Sequence, residues 1–226
     1  MVCDAAIYHP TLSKFLKFID TTPKREKIFR LVVYLSRFLS YYTFRKGFSK
    51  EVVDVFSSLK QNFTFLRKGM RFLKPLNHLQ ITAKTYDNKL MDPVLQHTTI
   101  IRNLGYAGYL GLDSVTWFKM MNLVSSKRMT TVPTWCSRFW LIALIAGVIN
   151  SIRTIQINSA KAKESEKESP EVGQKIYAAK RKIVWDFLDM FIALNSLKYL
   201  NFSEGDVGFA GTITSIMGLR DMWSST

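Results

Sequence analysis

Seven large apolar residues, Val52, Phe56, Leu59, Phe63, Leu66, Met70 and Leu73, recur at alternating spacings of four and three. A strand cannot use that period, because its side chains switch faces at every residue. An α-helix, turning about 100° per residue, gathers all seven into one sector about 100° wide. Lys60, Arg67, Lys68, Arg71 and Lys74 are assigned together to the far side, and from Lys60 to Lys74 every charge is positive. Phe65 and Phe72 fall between the two faces and widen the apolar side. The helix is expected over about residues 52–74, ended by Lys74-Pro75, since proline disfavours an α conformation in the residue before it. Such a helix suits an anionic bilayer, with its apolar side among acyl chains and its cations at headgroups. Packing of the stripe inside a helical bundle is the alternative.

The rest of the chain also carries a helical period, and no alternating strand run is convincing. A short helix is expected from Thr11 to about Asp20, with Leu12, Phe15, Leu16 and Ile19 on one face. Thr22-Pro23 reads as the next start, a capping hydroxyl before a proline. That helix carries Ile28, Leu31, Val32, Leu35 and Leu39, with Arg30 and Arg37 off the stripe. Further helices are expected from Leu76 to about Tyr86 and from Pro93 to about Val124. In the latter, Gly105, Gly108 and Gly111 suggest a close helix–helix approach, with a loosened helix as the alternative.

Residues 139–152 carry no charge. As a helix they span only about 21 Å, against about 30 Å for the hydrocarbon layer. Extension back to Pro133 makes 133–153 the expected membrane-spanning helix, with Arg138 able to snorkel and Trp135 and Trp140 suited to an interface. Residues 154–182 are expected to be a charged, mobile linker, densest in charge over 158–182. Residues 183–226 are expected to hold the last helices. Within them 207–219 is a second, weaker membrane-embedded candidate, with Gly211/Ser215 and Thr214/Gly218 at small-xxx-small spacing.

The net charge is +15, and residues 1–132 hold 21 basic and 8 acidic side chains against 11 and 9 in the remainder. A basic first half (1–132) joined to a near-neutral, apolar second half suggests a polyanion-facing surface plus a membrane-embedded part. The two cysteines, Cys3 and Cys136, fit a reducing compartment. Cys3 is a candidate redox thiol, an inert surface thiol being the alternative, and Cys136 reads as core or bilayer. The N-terminus lacks the basic and apolar regions of a secretory signal. His9, His78 and His97 lie in unrelated contexts without metal-ligand spacing. No phosphate-binding glycine loop or nucleophile elbow occurs. The expectation is a non-enzymatic protein with no cofactor or metal; His78 is assigned to packing or capping.

The phrases Arg67-Lys68-x-x-Arg71-Phe72-Leu73-Lys74-Pro75-Leu76-Asn77-His78-Leu79 and Tyr86-Asp87-Asn88-Lys89-Leu90 resemble the fungal peroxin-eleven family. So do Met1-Val2-Cys3-Asp4 with Tyr8-His9-Pro10, Arg25-Glu26-Lys27, Tyr34-Leu35-Ser36-Arg37-Phe38-Leu39 and the closing Thr214-Ser215-Ile216-Met217-Gly218-Leu219-Arg220-Asp221-Met222-Trp223. The resemblance spans the full length. It implies an integral peroxisomal membrane protein with both termini cytosolic, which self-associates and elongates and proliferates the organelle. It also implies action upstream of dynamin-type fission machinery and its membrane adaptor. The family's membrane-inserting amphipathic helix falls on residues 52–74.

The reading is therefore an all-α membrane protein that promotes curvature, elongation and fission of peroxisomes. It has N-terminal amphipathic helices and one or two short hydrophobic membrane-embedded helices. Its expected partners are anionic lipids, further copies of itself and the fission machinery. A channel for small metabolites, lined by Arg102, Asp113, Asp186 and Asn195, is the alternative. A soluble nucleic-acid binder is suggested by charge alone, and no nucleic acid is expected.

Overall fold

A computed structural model describes residues 8–125, 130–164 and 170–226, and among them every regular element is a helix. These are α1 (Pro10–Ile19), α2 (Thr22–Arg45), α3 (Lys50–Met70), α4 (Lys74–Asp87), α5 (Pro93–Met120), α6 (Val132–Glu164), α7 (Pro170–Ser196) and α8 (Glu204–Ser224). The all-α class thus stands. The chain divides into two units, one formed by residues 1–71 and 202–226 and the other by 72–201. The expected division into a basic first half and an apolar second half is replaced by one in which the C-terminal helix joins the N-terminal unit.

Local chemistry sets the helix ends. His9 accepts the backbone N–H of Thr11 through Nδ1 at the start of α1. Asp92 accepts from Leu95 N–H at the start of α5. Ser203 and Asp206 close a reciprocal capping box on α8, which satisfies two donors that a helix start leaves open. Thr22 is already helical; the cap position is Thr21, whose hydroxyl makes no capping bond. The start therefore rests on Pro23 in the first turn.

The expected linker is mostly helix. α6 runs on to Glu164 and α7 begins at Pro170, so of 154–182 only 165–169 lie outside the described residues. Local charge density does not oppose a helix when the charged residues are Lys, Arg and Glu, all good helix formers.

In the first unit α2 packs between α3 and α8, and α1 meets its start. In the second, α4 to α7 pack in chain order. The interiors are rich in small and polar side chains. α2 buries Glu26, Arg30, Val33, Ser36 and Thr43, and α8 buries mainly glycine, alanine, serine and threonine. On α6 Ala143, Leu144, Ala146, Gly147 and Ser151 point inward, whereas Ile142, Ile145, Ile149 and Ile152 are each at least 45% exposed. Many large apolar side chains outside and mainly small or polar ones inside are what a bilayer solvent selects, since hydrocarbon outside removes the drive to bury them.

Candidate membrane interface

α3 presents three arcs. The arc toward α2 carries Ser57, Lys60, Thr64, Arg67 and Arg71. Ser57 meets Ser40 at 3.1 Å, and Arg67 donates from Nε to Glu26 at 2.6 Å. Arg71 is buried with its Nε 3.9 Å from the same carboxylate. The apolar arc lies about a quarter-turn away at 100° per residue. In it Phe63 meets Phe29 edge-on at 4.9 Å, Phe56 and Met70 are half-buried, and Val52, Leu59 and Leu66 are exposed. The third arc, Glu51, Asp54, Ser58, Gln61 and Asn62, is exposed and polar.

This corrects the two-faced reading of the segment. Lys60, Arg67 and Arg71 flank the apolar arc instead of opposing it, Lys68 lies across the helix from it, and Arg67 and Arg71 turn inward because Glu26 holds them. Lys60 and Lys68 are half-buried. Leu73 and Lys74 fall past the last residue of α3 and belong to the second unit. The helix ends at Met70, four residues before the Lys74-Pro75 stop, and Lys74 instead opens α4.

α8 approaches α2 through glycine. A Cβ on Gly208 would lie 2.6 Å from the backbone N of Phe38, and one on Gly205 or Gly211 would run into the ring of Tyr41 or Tyr34. Thr214 accepts from Arg30 at 2.9 Å, and Gly218 is buried. Of the α5 glycines, Gly105 and Gly108 abut Ala143 and Phe139 of α6, whereas Gly111 faces open space. Gly147, Gly205 and Gly208 were not singled out in the sequence, although Gly205, Gly208 and Gly211 repeat every third residue.

α6 is the one helix among the described residues long and apolar enough to cross a bilayer. It exceeds the expected 133–153 at its C-terminal end. α8, the weaker candidate, is helical beyond 207–219 but does not reach that apolarity. Against α6 lie polar groups joined to one another. Asn150 donates to Leu95 O, Thr98 Oγ1 and Thr99 Oγ1. Arg102 meets Asp186 at 3.3 Å, and Lys182 meets the same carboxylate at 2.7 Å. Asp113 is buried and Asn195 half-buried. So the residues suggested for a pore lining include a mutually paired acid and base.

Comparison with family models matches residues 12–223 to Peroxisomal biogenesis factor 11 (PEX11). The chain belongs to that family. It is 38% identical to Peroxisomal membrane protein PMP27 of Saccharomyces cerevisiae, covering all of both chains. It is 35% identical to Peroxisomal membrane protein PMP30B of Candida boidinii, covering 100% of this chain and 99% of that one. It is 26% identical to Peroxisomal biogenesis factor 11 of Schizosaccharomyces pombe, covering 95% and 96%. No solved structure matches.

In this PEX11-family chain the phrase Pro75–Leu79 forms the first turn of α4, where His78 stacks on Tyr106 and shares a 2.9 Å hydrogen bond with Asn103. Burial pulls the His78 pKa below the ordinary 6.5, the Asn103 bond opposes that, and Lys74 and Arg102 add to it. Its packing assignment matches this geometry. Asp92 is held below the usual carboxylate range first by its bond from Arg153, then by the Leu95 N–H. Cys136 is buried, with its thiol 3.4 Å from Tyr109 O, and Cys3 lies outside the described residues.

Proposed function

We propose that the chain is an integral peroxisomal membrane protein that bends the membrane by wedging the apolar arc of α3 into the cytosolic leaflet. The observation that carries this is the exposure of Val52, Leu59 and Leu66 along one side of a helix whose other flank is fixed to α2. Full burial of a leucine in an apolar phase contributes about 2 kcal/mol, so a few half-inserted side chains suffice to seat a helix already anchored. Carrying α3 on the same chain as α6, the helix apolar enough to cross a bilayer, lowers the entropy cost of recruiting a free peptide. A wedge that fills only the outer part of one leaflet expands it and favours positive curvature.

Anionic lipids, further copies of the chain and the dynamin-type machinery with its adaptor are the partners of this reading, with both termini cytosolic. Family membership, through relatives named as peroxisomal membrane proteins, supports the location. In cells lacking their own copy, the chain should elongate peroxisomes and raise their number. Leu59→Glu with Leu66→Glu should leave few, round organelles despite normal protein levels. Normal organelle shape with the double variant would sink the wedge reading. Conductance across a planar bilayer that survives those substitutions would favour the channel.

A further inference from the structure

α1 carries a second apolar arc that the α3 reading leaves unused. Leu12, Phe15 and Leu16 share one side of α1 and are 39%, 45% and 53% exposed, and Tyr8, two residues before the helix, is 77% exposed. The helix is held from its other side. Phe18, 4% exposed, packs on Trp223 with ring centroids 5.4 Å apart, Lys14 lies over the same indole at 4.9 Å, and Lys24 lies over the Phe18 ring at 5.3 Å. Lys24 also donates to the Thr226 hydroxyl. These contacts fix the roll of α1 and leave its apolar arc pointing away from the unit. Where α1 turns into α2, an open cleft of about 650 Å³ is lined by Leu16, Lys17, Ile19, Asp20 and Arg25. Residues 8–27 hold five basic and two acidic side chains, and one of the acids, Glu26, is turned inward to Arg67.

We infer that this elbow is a separate seat for an anionic phospholipid leaflet, with the α1 arc among acyl chains and the cleft bearing Lys17 and Arg25 receiving a headgroup phosphate. The chemistry is complementary at both depths. Three large apolar side chains of α1 face one way, and two cations against one carboxylate rim the cleft beside them. Aromatic and long cationic side chains flanking such an arc are the groups that settle at a membrane interface. The seat is built on α1, α2 and α8 and uses no residue of the α3 arc.

The test places a nitrobenzoxadiazole label at Leu16→Cys in the full chain, with Cys3→Ser and Cys136→Ala, reconstituted in phosphatidylcholine vesicles with and without phosphatidylserine. The expected result is a blue-shifted label, quenched by shallow doxyl lipids and shielded from iodide, more strongly when phosphatidylserine is present. Lys17→Glu with Arg25→Glu should cut that quenching severalfold at unchanged helix content. The same label at Ser13→Cys, on the polar side, should stay accessible to iodide. A Leu16 label open to iodide and untouched by doxyl lipid overturns the seat. So does a label shielded from iodide only as protein density rises, which would mark a second copy of the chain as the cover. Vesicle shape is not read, so these outcomes are independent of the α3 wedge.

Discussion

Arg67 of α3 donates to Glu26 of α2 at 2.6 Å, across a helix pair whose buried side is polar. The pair decides which flank of α3 is hidden and therefore which arc is offered outward. Both side chains are nearly buried, at 12% and 8% exposed, so the bond is little screened by solvent. Removing one partner of a buried pair costs about 3–5 kcal/mol, because the other charge is left without compensation. Glu26→Gln should lower the thermal midpoint in detergent by several degrees. The triple change Glu26→Leu, Arg67→Met, Arg71→Met should recover most of it. Equal losses in both variants would mean that shape, not charge, holds the two helices.

The glycines separate by what faces them. Gly105→Ala should destabilise by about 1–3 kcal/mol, the range for overpacking a tight contact, because its Cβ would sit 2.9 Å from both Ala143 Cβ and Phe139 O. Gly208→Ala should do the same, since the obstacle is the backbone of Phe38. Gly111→Ala should stabilise by up to about 1 kcal/mol, from helix propensity alone. Thermal melts of the three variants check the order.

His78 gives the second unit a pH dependence. Its folded pKa is depressed below 6.5, so between the two values the unfolded chain binds more protons. The stability it contributes is present above about pH 6.5 and declines as pH falls below that. Melting midpoints should drop between about pH 7.5 and 5.5, and His78→Gln should flatten that part of the profile. An unchanged slope in the variant would assign the drop to other groups.

The outer face of α6 distinguishes a bilayer from water. Ile145 is 45% exposed; on a soluble protein Ile145→Lys would be nearly neutral. Within hydrocarbon a lysine near a helix centre costs about 2.5–3.5 kcal/mol. Carbonate extraction should release a larger fraction of the Ile145→Lys chain than of the parent. Equal retention would place that face away from lipid.

The sequence made the helices and their approximate ends legible, because a 3.6-residue period and prolines at Pro23 and Pro93 are local signals. It also exposed the apolar arc from Val52 to Met70. The sides of the helices that turn inward were not legible. Glu26 lies 41 residues before Arg67, so nothing near Arg67 announces that its charge is taken. The same distance in sequence hid the pairing of α8 with α2, where Gly205, Gly208 and Gly211 meet Tyr41, Phe38 and Tyr34. Apolarity, the signal that identifies a core in water, here marked the outside on α6. The charged run after Asn158 misled for a local reason, since Lys161, Lys163 and Glu164 look like the start of a linker but are good helix formers and end α6.

A wedge at the α3 arc would bend membranes through its exposed leucines. Its most direct test is cryo-electron microscopy of phosphatidylserine-containing proteoliposomes carrying the full chain or its Leu59→Glu Leu66→Glu variant. Both residues are exposed, at 36% and 46%, so the variant should keep its fold and melting midpoint. Tubules are expected with the parent chain and spherical vesicles with the folded variant. Tubules of equal number and width from both would contradict it.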